Sequence, residues 1–91
     1  MKITLEIGEH EKSRVEYRYN QLLGHLVIKV NDQTVTTYTR LLNEPVLEVH
    51  VISIGTNERH EIRIEKERKQ LSGHRSRLFV DNRLRDVFSS N

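Results

Sequence analysis

Residues 21–32 read QLLGHLVIKVND and residues 70–82 read QLSGHRSRLFVDN. In both, Gln-Leu-x-Gly-His leads into a run that ends in a valine and an Asn/Asp pair. That pair decides how the run before it is read. Asn and Asp tolerate positive φ and bond their own backbone, so Val30-Asn31-Asp32-Gln33 and Val80-Asp81-Asn82-Arg83 read as tight hairpin turns. Ahead of the first turn, Leu26, Ile28 and Val30 fall on one parity, the period of a half-buried strand.

The likeness continues outward from these anchors. Ile7-Gly8 matches Ile54-Gly55, and Arg14, Glu16 and Arg18 match Arg59, Glu61 and Arg63 at constant spacing. Gln21, Leu22, Gly24 and His25 match Gln70, Leu71, Gly73 and His74 once extra residues are allowed in a polar stretch of the second copy, where loops accept insertions. The chain therefore reads as an internal repeat, with units of about 2–42 and 46–90 and its only proline, Pro45, at the boundary.

Each unit reads as strands. ITLEI sets Ile3, Leu5 and Ile7 on one face, RVEYRY alternates Val15, Tyr17 and Tyr19 with charge, and HEIRIEKER sets Ile62 and Ile64 against Glu61, Arg63 and Glu65. TVTTYTRL and RLRDVFS follow the two turns as further strands. The expected fold is all-β: a small antiparallel β-sandwich of about eight strands, built from two pseudo-symmetric four-stranded repeats. Gly8 and Gly55 are expected to end the first strand of each copy, and Gly24-His25 and Gly73-His74 to sit at equivalent bends. Asn31, Asp32, Asp81 and Asn82 complete the structural turns. VLEVHVISIG (46–55) is the most continuously apolar run, and its parity switches between Val51 and Ile52. A bulge there, or burial on both faces, would make it a central strand. At an edge it would instead be a place for dimerisation by strand pairing.

Composition narrows the function classes. Ninety-one residues, 35% hydrophobic and 31% charged, make one small domain that a homodimer would stabilise further. The chain has no cysteine, which leaves no disulfide, thiolate metal site or thiol nucleophile. No run approaches the roughly 18 apolar residues that span a bilayer, and MKITLEIGEH lacks a signal peptide's apolar centre. A soluble cytoplasmic protein is expected, with no membrane partner.

The second copy resembles the β-sandwich family typified by Fas apoptotic inhibitory molecule. SIGTNERHEIRI (53–64) and, after a basic loop, RLFVDNR (77–83) carry the resemblance, about a third of the chain. It implies an all-β, non-enzymatic domain that acts through protein contacts. The chain departs from the family in lacking its tryptophans and cysteines, so the family's apoptotic role is not carried over.

Catalytic and metal signatures are thin. None of His10, His25, His50, His60 and His74 forms a His-x-His or His-x-x-x-His pair, and HEIR lacks the second histidine of the zinc-protease motif. Glu16 and Glu61 read as cross-strand charge partners. An enzyme would need a carboxylate and a histidine to converge in a cleft. No catalytic residue, metal or cofactor is assigned. The basic stretch KERKQLSGHRSR (66–77) holds Lys66, Arg68, Lys69, Arg75 and Arg77, with His74 among them, against one acid, Glu67. As a loop it would contact an acidic partner or neutralise phosphates. The sequence reads first as a protein-interaction or scaffold module whose partner is another protein or itself. The alternative is a nucleic-acid or polyanion binder using residues 66–77.

Overall fold

The computed structural model describes residues 1–40, 44–69 and 73–90, which form eight strands and, among themselves, no helix. One sheet is β1 (Lys2–Ile7), β2 (Ser13–Asn20), β3 (His25–Val30) and β4 (Gln33–Thr39), in that order. The other is β5 (Leu47–Ile54), β6 (His60–Arg68), β7 (His74–Val80) and β8 (Arg83–Ser90), again in chain order. Every neighbouring pair is antiparallel. The all-β class and the two four-stranded repeats are as the sequence predicts. The chain divides into two compact units, Met1–Glu44 with Gly55–Glu58, and Pro45–Ile54 with Arg59–Asn91.

Both Asn/Asp pairs form hairpin turns. Asn31 and Asp32 have φ of 50° and 68°, and Asp81 and Asn82 have 52° and 66°. Positive φ at both central residues defines the type I′ turn, whose twist matches that of the flanking strands. The first residue of each turn also bonds sideways to the next strand. Asn31 Oδ1 accepts the Arg14 N–H at 2.8 Å while the Asn31 N–H donates to the Arg14 carbonyl at 2.8 Å. Asp81 Oδ1 accepts the Glu61 N–H at 2.9 Å and the Asp81 N–H donates to the Glu61 carbonyl at 2.9 Å. His60 Nδ1 lies 2.6 Å from Asp81 Oδ2. That bond, then the Glu61 N–H, lowers the Asp81 pKa. A register shift follows each turn, at Ile28/Lys29 and at Leu78/Phe79.

These pairings correct two of the repeat matches. Ser13 stands opposite Ile7, and His60 opposite Ile54. Arg14, Glu16 and Arg18 therefore correspond to Glu61, Arg63 and Glu65, two positions beyond the match made on like charges. The outer row of the central strand has the opposite sign order in the two repeats. The histidine match also shifts. Leu26 stands opposite Tyr19 and Ser76 opposite Lys66, so the counterpart of His25 is Arg75. His25 is the first residue of β3 and bonds Thr39 Oγ1 through Nδ1 at 2.8 Å, whereas His74 is buried. The two histidines point to opposite faces. Gln70 and Leu71, also part of that match, lie outside the described residues.

In the first unit the buried face carries Ile7, Val15, Tyr17, Tyr19, Leu26 and Ile28. The β1–β2 turn and residues Gly55–Glu58 meet there through reciprocal carboxylate caps. Glu11 accepts the N–H groups of Thr56, Asn57 and Glu58 at 2.8–3.1 Å and the Thr56 hydroxyl at 2.9 Å. Glu58 accepts the N–H groups of Glu9, His10 and Glu11 at 2.6–3.1 Å. The two glutamates are counterparts in the repeat, in IGEHE and IGTNE. Each loop bends at a glycine with positive φ, Gly8 at +115° and Gly55 at +84°, where a Cβ would overlap the carbonyl of the capping residue's own backbone.

Backbone N–H groups bonded to the charged carboxylate, those of Glu58 first, lower the Glu11 pKa from 4.5 to about 2. Because the folded value lies below the unfolded one, the stabilisation is complete above pH 4.5 and is lost as pH falls towards 2. Glu11→Gln is expected to lower the melting temperature at pH 7 and to narrow that deficit steadily between pH 4.5 and 2, as thermal unfolding followed across pH would show.

Candidate functional site

β5 begins with a polarity that its counterpart lacks. Counting back from the matched Ile-Gly pairs, Met1, Ile3 and Leu5 correspond to Glu48, His50 and Ile52, while Lys2 and Thr4 correspond to Val49 and Val51. In β1 the odd positions Ile3, Leu5 and Ile7 turn inward, and Lys2, Thr4 and Glu6 are exposed. In β5 the inward positions are Glu48, His50, Ile52 and Ile54, and the outward positions Leu47, Val49 and Val51 are 50%, 49% and 57% exposed. The first half of β5 is thus inverted, polar inside and apolar outside.

This corrects the expectation of a bulged or doubly buried central strand. The β5–β6 register runs unbroken from Leu47↔Glu67 to Ile54↔His60, and β5 is the terminal strand of its sheet. The parity switch at Val51-Ile52 marks a change in what the inner face needs, not an extra residue. Glu48 meets a partner on β6, and His50 meets Glu48 along β5. Lys66 Nζ lies 3.4 Å from Glu48 Oε2, and His50 Nε2 lies 3.3 Å from the same oxygen. Lys66 and Glu48 are 1% and 8% exposed. Buried Ser76 stands opposite Lys66 on β7, and buried His74 is two residues along that strand. Among the described residues no buried side-chain nitrogen or oxygen lacks a hydrogen-bond partner.

The basic stretch is therefore not a loop. Lys66 and Arg68 lie in β6, and His74, Arg75 and Arg77 in β7, with residues 70–72 outside the described set. Strand alternation sends Lys66 and His74 inward, where a phosphate has no access, and Arg75 and Arg77 outward. Arg77 contacts Glu65 at 3.3 Å and Glu67 at 3.7 Å. Arg68 and Arg75 stay exposed and Lys69 half-exposed; the Lys69 N–H donates to the Gly73 carbonyl at 3.0 Å. The sequence placed six basic residues together, and the structure divides them between two faces.

Beside the apolar edge, the outer face is a charge ladder. Glu67, Glu65 and Arg63 stand opposite Leu47, Val49 and Val51. Arg63 bonds Glu65 at 3.2 Å and stacks on Phe79 at 4.2 Å from its ring centre. The result is an exposed apolar row bordered by paired charge. For chemistry there is less. Carboxylate and histidine converge at two places: Glu48 and His50, whose shared contact also includes Lys66, and His60 and Asp81 at the second hairpin turn; no group of His, Asp and Glu suited to a metal occurs among the described residues. No helix among them is long and apolar enough to cross a membrane. Comparison with family models, curated proteins and solved structures returned no match.

Sequence reasoning found the Leu47–Val51 stripe and read it first as a central strand, with an edge strand as the alternative, and it missed the inward placement of Glu48 and His50. The signal was present: aligned on Ile-Gly, MKITLEIG and EVHVISIG alternate in opposite phase over their first residues. Lys66→Met, which strands Glu48 beside His50, is expected to destabilise the fold by about 3–5 kcal/mol. Glu48→Leu combined with Lys66→Met is expected to recover most of that loss in urea unfolding, because an apolar pair of similar size replaces the ion pair.

Proposed function

We propose that this chain is a non-enzymatic protein-interaction module that binds by adding a strand to β5. One observation carries the reading: a terminal strand exposes Leu47, Val49 and Val51, where the matching strand of the other repeat exposes Lys2 and Thr4 at the positions of the two valines. Edge strands are normally protected by charge, since their free N–H and C=O groups template pairing with another chain. β1 carries that protection and β5 does not. In strand addition the backbone supplies affinity, and alternate side chains supply selectivity through the face they share. The partly matching family resemblance agrees with a domain that acts through protein contacts, and the cytoplasmic setting expected from the sequence goes with this reading.

Polyanion binding through Arg68, Lys69 and Arg75 is the competing reading. The two separate in a pull-down from source-cell lysate with and without nuclease. Val49→Lys with Val51→Thr copies onto β5 the residues that β1 already carries at the same positions. It should abolish capture of protein partners, while Arg68→Glu with Arg75→Glu leaves capture intact and nuclease has no effect. Loss of partners on nuclease treatment and on charge reversal, with the β5 variant unaffected, would replace this reading with the polyanion one.

A further inference from the structure

We infer that the strand that docks on β5 is β5 of a second copy, paired antiparallel with Val49 opposite its own counterpart; the inference rests on β5 being the binding edge. The backbone sets which residues can pair. The Arg68 N–H donates to the Val46 carbonyl at 2.8 Å, so Val46 and its even-numbered successors bond toward β6. Leu47, Val49, Val51 and Ser53 therefore aim their N–H and C=O groups away from the sheet. Two such edges related by a two-fold axis can bond only in registers that set odd residues against odd ones.

Registers centred on Glu48, Val49, His50 or Val51 all meet that condition, and the side chains choose among them; centred on Val51, the pairing sets His50 against Ile52 and Glu48 against Ile54. Centred on Glu48, the pairing sets two carboxylates against each other in a non-hydrogen-bonded pair, where strands are closest, at about 4.5 Å between Cα atoms. Centred on His50, it opposes two imidazoles and leaves Glu48 facing Ile52. Centred on Val49, every contact is complementary. Leu47 meets Val51, Val49 meets Val49, and Val51 meets Leu47 on the exposed face. Glu48 meets His50, and His50 meets Glu48, on the other. LEVHV is its own complement when read antiparallel.

This register makes about six backbone hydrogen bonds between the copies. It ends naturally at Pro45, which falls opposite Ser53 and has no N–H to give. The product is one continuous sheet running β8-β7-β6-β5 and back through the partner's strands, and both bare edges vanish. Strand pairing of this length gives an interface at the small end of the specific range, so the dimer is concentration-dependent.

The absence of cysteine makes a register test clean. In a two-fold pair only the residue on the axis lies beside itself; position 47 is about 13 Å along the strand from its own copy. With a short-reach thiol cross-linker, Val49→Cys should cross-link to itself, whereas Leu47→Cys and Val51→Cys should each fail alone and cross-link when mixed. Sedimentation should show wild type dimerising with concentration. Val49→Lys, which opposes two ammonium groups on the axis, should raise the dissociation constant by at least about tenfold. A monomer at all concentrations, or Val49→Cys linking no faster than exposed Val35→Cys on β4, would overturn the inference. If the β5 variant still abolishes capture of another protein in that case, the binding edge stands and only its occupant is wrong. If neither effect appears, both fall.

Discussion

A strand residue cannot choose its face independently of its neighbours. Each step along the chain turns the side chain over and swings the N–H and C=O groups to the other edge, so one placed residue fixes the rest. In this protein the type I′ turns at Asn31-Asp32 and Asp81-Asn82 and the glycine bends at Gly8 and Gly55 do the placing. Once they are set, Lys66 must go inward because Ile62 and Ile64 do, and Glu48 must face it across the β5–β6 ladder. The same rule puts Val49 outward on an edge with its backbone groups pointing away. The buried ion pair and the exposed apolar row are two results of one inverted phase.

The two repeats keep the devices that fix register and differ in what the faces carry. Both keep the paired positive-φ turn, the side chain bonded to the neighbouring strand, the register shift after the turn, and a glutamate that caps N–H groups. On the inner face, Tyr19 of the first repeat becomes Lys66 in the second, and Ile3 becomes His50. Replacing apolar core by a satisfied ionic cluster adds little stability and can lower it. Under the proposed strand addition, it would make the inner side of β5 selective for what lies alongside. A carboxylate and an imidazole there favour a neighbour that presents the opposite order.

How much of this the sequence carried differs by element. The strands, the turns and the repeat were legible because Asn/Asp pairs, glycines and period two are local signals. The register of the repeat was not, because like charges at Arg14-Glu16-Arg18 and Arg59-Glu61-Arg63 matched better by eye than the true counterparts of opposite sign. Whether β5 lay at the centre or the edge of a sheet depends on which strands find each other, and a single strand's composition does not record that. The basic stretch misled for a related reason. Arginines and lysines that are neighbours in sequence look like one patch until the alternation of a strand separates them.

The most direct test is residue-resolved amide hydrogen exchange measured at low and high protein concentration. If β5 is a docking edge, the amides of Leu47, Val49 and Val51 will slow as concentration rises, while those of Lys2, Thr4 and Glu6 on the matching strand will not change. Exchange at Val49 that is the same at every concentration, with or without added partner protein, would contradict the account.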